Sequence, residues 1–191
     1  CIALVLQVAD AVQHAHQRGV IHRDLKPANI LVSETSGRPT PRVLDFGIAK
    51  PTQSFGAEAL VTSGVPIGTP AFMAPEQTGG RTTDTRADVY ALGAVLYTLV
   101  AGRPPIDTTG EPVELLKRIR DVVPPLASRA RQFASAGTSL VSDAVPRAFW
   151  HDLDIILAKT LEKDPARRYE TVAAFAEDLR RLLRREAISA H

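Results

Sequence analysis

A single cysteine in 191 residues excludes an intrachain disulfide and suits a reducing compartment. Excess charge of one sign is nearly absent. The formal net charge is +2, which gives no reason to expect a nucleic-acid partner. No apolar run is long enough to span a bilayer. The longest, residues 89–102, falls short of the roughly 18 residues a spanning helix needs and reads as a helix buried in a core. The first residues carry neither a basic leader nor a small-residue cleavage site, so no secretory signal is expected. The absence of an initial Met points to a fragment cut inside a helix, or to N-terminal processing. Internal repeats and low-complexity tracts are lacking too. What is present is an ordinary globular composition, 45% hydrophobic and 23% charged, with enough apolar surface for a core. The length fits one domain or one large lobe of something bigger.

Apolar spacing predicts a helix over residues 2–18, from Ile2, Val5, Leu6, Ala9 and Val12, with Gly19 closing it. Val20-Ile21 reads as a short strand. Ile30-Leu31-Val32 and Arg42-Val43-Leu44 read as two more, joined as a hairpin through turn residues 33–41. Residues 45–80 are rich in Gly, Pro, Ser and Thr and read as one long loop, a feature usually kept for function. The buried helix is expected to start at Thr83 or Asp84 and to end at Gly102 before Pro104-Pro105. A short helix is expected around Val113, Leu116 and Ile119. Another is expected from Leu153 to Leu161, ending before Pro165, and a last one through Val172, Phe175, Leu179 and Leu183. Residues 124–147 give no readable pattern. The architecture expected is mainly helical, with two small strand pairs near the N-terminus.

The chemistry concentrates in His22-Arg23-Asp24-Leu25-Lys26-Pro27-Ala28-Asn29, a loop held between two short strands. It gathers a carboxylate, an ammonium and an amide oxygen. Phosphoryl transfer needs those types together: a base for the hydroxyl proton, a cation for developing charge and an oxygen ligand for Mg²⁺. Asp45-Phe46-Gly47 follows the second hairpin strand. Asp45 and Asn29 would supply hard oxygens of the kind Mg²⁺ prefers.

These two segments resemble the catalytic and metal-binding loops of eukaryotic-type protein kinases. Ala74-Pro75-Glu76 is similar to the family's third sign. Gly68-Thr69-Pro70, Asp88-Val89-Tyr90-Ala91-Leu92-Gly93 and Asp164-Pro165-Ala166-Arg167-Arg168 resemble further family segments, in order. The likeness runs from Ile2 to about Leu183 and looks most like bacterial serine/threonine kinases. It implies a protein kinase-like α+β fold, of which this chain holds the mainly α-helical C-terminal lobe with short β-hairpins and no N-terminal lobe. The lobe would span 1–184, with 185–191 as a tail.

The resemblance implies Asp24 as catalytic base, Lys26 on the γ-phosphate, and Asn29 and Asp45 as Mg²⁺ ligands. Thr69 would touch the catalytic loop and favour a Ser/Thr substrate. Leu31 would line the floor of the adenine pocket. Phe46 and Gly47 complete the Asp-Phe-Gly turn. Arg23 would receive a phosphate carried by Thr52, Ser54, Thr62 or Ser63. Asp88 would brace the catalytic-loop backbone, and Glu76 with Arg168 would form a structural ion pair. The implied cofactors are ATP and Mg²⁺. The implied partners are a protein substrate with a Ser/Thr acceptor and an N-terminal kinase lobe, with no nucleic acid and no membrane segment in the chain. The implied location is cytoplasmic, although bacterial members often carry a membrane-anchored sensor.

Plainer readings stand beside these. His22 reads as a packed core residue, and Asp88 as a helix N-terminal charge. The loop Ser and Thr residues read as solvated. Arg180, Arg181, Arg184 and Arg185, diluted by Glu177, Asp178 and Glu186, read as a solvated helix face. His14 and His16 have the wrong spacing for a shared metal. Ile48-Ala49-Lys50 resembles the family's strand-lysine motif but stands on the wrong side of Asp24, so it is rejected. No G-x-G-x-x-G occurs. The chain alone is therefore expected to lack activity without the other lobe, and to expose an apolar face where that lobe docks. Two alternatives stay open: a non-catalytic binding or scaffold module, and a small-molecule kinase with a related loop.

Overall fold

The structure, a computed structural model, describes residues 1–35, 37–46, 70–79, 83–133 and 145–190. The elements in chain order are α1 (Ile2–His16), β1 (Ile30–Thr35), β2 (Arg38–Val43), α2 (Arg86–Ala101), α3 (Pro112–Asp121), α4 (Ala127–Ala130), α5 (Arg147–Thr160) and α6 (Val172–Arg184). Short 3₁₀ turns at Pro27–Asn29, Pro70–Phe72, Pro75–Gly79, Arg131–Phe133 and Pro165–Arg167 lie between them.

The core is built around α2. Nearly every side chain of this helix is buried, so it is apolar all round, as a helix enclosed by others must be. It begins at Arg86, two residues beyond the later of the starts read from the sequence. Gly102 ends it in the left-handed conformation, at φ 72°. Helices α1, α4, α5 and α6 pack around it. At Gly93 the approach of α5 leaves no room for a side chain. A Cβ there would stand 2.8 Å from Thr160 Cβ and closer still to its methyl group. Gly93→Ala is expected to cost about 1–3 kcal/mol, the scale of an overpacked core. The urea midpoint would read this loss, and an unchanged midpoint would mean that the two helices can part.

Helix α1 buries Ile2, Val5, Val8, Ala9 and Val12 on one stripe. It closes as the glycine predicts: Gly19 has φ 75°, and the Val20 amide donates to the Ala15 carbonyl at 3.0 Å. Val20-Ile21 is not a strand. These two residues only carry the chain from that closure into the loop, and the described residues contain one strand pair rather than two. That pair is antiparallel, with Ile30 opposite Val43 and Thr35 opposite Arg38. Pro39 and Pro41 alternate along β2, so their missing N–H groups fall on one side. That side must face away from β1, which makes β2 an edge strand.

The segment left without a reading contains α4 and a 3₁₀ turn. Asp154 of α5 holds α4 in place by accepting the Ser128 amide at 3.1 Å and its hydroxyl at 2.5 Å. A smaller cluster of Ile106, Leu115, Leu116 and Ile119 seats α3. Beyond α6 the chain turns back at Arg185, and the Ser189 and Ala190 amides donate to the buried carboxylate of Asp178 at 2.7 and 2.9 Å. Arg180 and Arg184 form exposed pairs with Asp10, Glu177 and Glu186. Among the described residues no helix is long and apolar enough to cross a membrane.

Candidate active site

The loop from His22 to Asn29 is suspended from one buried carboxylate. Asp88 near the start of α2 accepts the His22 amide at 2.8 Å through Oδ2 and the Arg23 amide at 2.8 Å through Oδ1. His16 Nε2 stands 2.7 Å from the same Oδ2. A buried carboxylate needs such donors, because leaving it unpaired is far more costly than exposing it to water. His22 is fully buried and links three segments. Its Nδ1 accepts the Asp24 amide at 3.3 Å, its Nε2 donates to the Leu44 carbonyl at 2.9 Å, and its ring lies 4.9 Å from that of Phe46. The second hairpin strand is thereby tied to the loop by a side chain as well as by the Leu44 amide, which donates to Asn29 O at 2.8 Å.

Of the three non-glycine residues with left-handed backbone among the described residues, two lie at this site, Arg23 at φ 63° and Asp45 at φ 53°. Such conformations cost free energy and persist only where the surroundings fix them. At Arg23 the surroundings are explicit. Asp88 holds its amide, and Gln77 Nε2 donates to its carbonyl at 2.8 Å. Gln77 Oε1 in turn accepts the Ala74 amide at 2.9 Å. Gln77 thus fastens the Pro75–Gly79 turn to the loop; the sequence pattern does not mark Gln77, and marks His16 only as wrongly spaced from His14 for a shared metal.

Asp24 and Lys26 stand together, with Lys26 Nζ donating to Asp24 Oδ2 at 3.1 Å; both are partly buried. Asn29 is buried and donates through Nδ2 to the Asp24 carbonyl at 2.8 Å. That bond orients the amide and leaves Oδ1 as its ligating atom. Asp45 is exposed just beyond the hairpin. An amide oxygen and a carboxylate are hard donors, so the pair fits Mg²⁺. Leu31 is 53% exposed, and Val32 and Leu44 are exposed beside it, so the hairpin shows apolar side chains to the outside. Arg23 Nε is buried without a hydrogen-bond partner among the described residues. Gly47, Thr69 and Gly68 lie outside the described residues, as do Thr52, Ser54, Thr62, Ser63 and the Ile48-Ala49-Lys50 run.

Behind the site, Arg168 and Glu76 form a buried bidentate pair, Nη1 to Oε1 at 2.8 Å and Nη2 to Oε2 at 2.7 Å. The remaining guanidinium protons go to the carbonyls of Glu162, Arg86 and Lys163. All five donors of the arginine are used, which a lysine could not reproduce.

The chain matches the family model described as the protein kinase domain over residues 1–179. It is 40% identical over 180 residues to the serine/threonine-protein kinase Pkn1 of Myxococcus xanthus, covering 93% of this chain and 23% of that protein. It is 36% identical over 182 residues to the serine/threonine-protein kinase PknB of Mycolicibacterium smegmatis, covering 95% and 26% respectively. The chain thus spans about a quarter of the length of these relatives. Among solved structures, the Mycobacterium tuberculosis PknI kinase domain superposes with a TM-score of 0.61 at 31% identity. That match covers 95% of this chain and 54% of that one. A mainly helical body with a single hairpin among the described residues, matched to about half of a kinase domain, is the helical lobe of that fold. On this match in sequence and architecture, the chain belongs to the protein kinase family, in the company of bacterial serine/threonine kinases.

Proposed function

We propose that this lobe carries the catalytic loop of an ATP- and Mg²⁺-dependent protein kinase that phosphorylates Ser or Thr hydroxyls of protein substrates. The observation that carries this reading is the loop held by Asp88, which presents Asp24, Lys26 and Asn29 together. Asp24 accepts the proton of the acceptor hydroxyl as that oxygen attacks. Lys26, already paired with Asp24, offsets negative charge on the transferred group. Asn29 Oδ1 and the Asp45 carboxylate are the residues that would hold Mg²⁺. When bound, ATP supplies the phosphoryl group and Mg²⁺ neutralises its oxygens. Leu31 would carry the adenine, and its exposure fits a surface that a second lobe covers. On this reading the lobe alone is inactive, because nucleotide is gripped from both sides. The Nε of Arg23, without a partner among the described residues, supports its part as receptor of an activation-loop phosphate. Thr69 is assigned to Ser/Thr preference on its motif alone.

Titration with Mg-ATP separates this reading from a scaffold. In a two-lobed form, saturable binding is expected, weakened at least tenfold by Asp45→Ala, about 1.4 kcal/mol. Binding that is absent, or indifferent to Asp45, would favour the non-catalytic module.

A further inference from the structure

A cleft of about 530 Å³ opens between the Arg131–Phe133 turn and the first turns of α5. Its size is that of a ligand site, and well beyond a single phosphate or carboxylate. Arg147, Trp150, His151 and Asp154 line it from one face of α5, at helical spacing. Ser128, Arg131 and Gln132 line it from the other side. The buried part of the lining is fully engaged. Both oxygens of Asp154 accept from Ser128, and the Trp150 ring holds the Arg131 guanidinium 4.5 Å from its centroid. The exposed part is not. The side chains of Gln132, Arg147 and His151 make no hydrogen bond or ion pair among the described residues.

The charge at this cleft runs against the helix that lines it. Helix α5 begins after Pro146 with no side-chain cap and no acid in its first turn, and its first residue is Arg147. A helix N-terminus carries partial positive charge, so an arginine there costs stability. A position that breaks a local rule in this way is typical of function rather than folding. An anion in the cleft would turn both sources of positive charge into attraction. Asp154 is the one carboxylate lining the cleft against Arg131 and Arg147, so the lining is net positive even with His151 neutral.

We propose that this cleft binds a phosphorylated side chain within a peptide segment of a partner protein. Arg131 and Arg147 take the phosphate oxygens. A phosphate monoester brings close to two negative charges and three terminal oxygens, which suits two guanidinium forks better than a carboxylate does. Gln132 and His151 offer polar groups to the peptide on either side of the phosphate. The room beyond one phosphate favours a peptide over the free ion. No residue of the cleft belongs to the loop of Asp24, so binding here is separable from phosphoryl transfer.

Trp150 is the single tryptophan of the sequence, so its emission reports on this cleft. The test titrates the chain with a short Ala/Gly-rich peptide carrying one phosphoserine, with the same peptide unphosphorylated, and with inorganic phosphate. The phosphopeptide is expected to change the emission saturably and to bind at least about tenfold tighter than either of the others. No change with any of the three, or equal affinity for the two peptides, would overturn the site. Equal affinity for phosphopeptide and inorganic phosphate would overturn the peptide as ligand. Arg147→Ala should weaken phosphopeptide binding at least about tenfold, and Asp24→Asn should leave it unchanged. Binding that depends on Asp24 and ignores Arg147 would move the peptide to the catalytic loop and overturn the cleft. Arg147→Glu should abolish binding yet raise the urea midpoint, because an acid suits the start of α5. A lowered midpoint would overturn the charge argument.

Discussion

Replacing Asp24 by Ala in a two-lobed form is expected to lower kcat by about 10²–10⁴-fold, with little change in the KM for ATP. The split follows from position. Asp24 belongs to the loop proposed to meet the acceptor hydroxyl, whereas the groups proposed to hold nucleotide and Mg²⁺ are Asn29, Asp45 and Leu31. The loop should survive the change. His22 and Arg23 remain tied to Asp88, and Asn29 bonds to the Asp24 backbone carbonyl, which alanine keeps. Steady-state phosphate transfer with a Ser/Thr peptide checks this. A kcat within a few-fold of wild type would remove Asp24 from the role of base, and a collapse of ATP binding instead would make it a nucleotide ligand. Asp24→Asn sharpens the result, since it keeps the shape and still accepts from Lys26 but cannot take up a proton at neutral pH.

Arg168→Ala is expected to be the most damaging substitution for stability, costing about 3–5 kcal/mol, the scale of breaking one side of a buried ion pair. The guanidinium is 4% exposed and Glu76 is 8% exposed, so water cannot take over the abandoned carboxylate without opening the core. Three backbone carbonyls, of Glu162, Arg86 and Lys163, lose their donor in the same step. The Tyr90 ring also loses the cation stacked on it. Arg180 makes the control. Its pair with Asp10 is exposed, and its replacement by Ala should cost no more than about 1 kcal/mol. Urea midpoints of the two variants decide the matter. Equal losses would mean that the buried pair relaxes into solvent and does not hold the Pro75–Gly79 turn to the body of the lobe.

Local signals in the sequence determined most of the helices and the order of the motifs. Gly19 and Gly102 mark helix ends because only left-handed backbone closes them there. The unbroken apolar run through α2 announces a helix with no solvent side. The spacing of Asp24, Lys26 and Asn29 places three kinds of chemistry on one short loop.

Tertiary structure decided how that loop is held. His16 and Gln77 reach Asp88 and the Arg23 carbonyl across long stretches of chain, and a hydrogen bond between distant residues leaves no periodic trace. Asp178 sits among arginines that read as a solvated face, yet it is buried because the Ser189 and Ala190 amides fold back onto it. The four residues of α4 are too few to signal a helix and form under the grip of Asp154. Val20-Ile21 has strand composition but no partner strand among the described residues, and a strand exists only through its partner. Contacts of this kind bring together residues that the linear sequence leaves far apart, so they are determined only when the whole lobe packs.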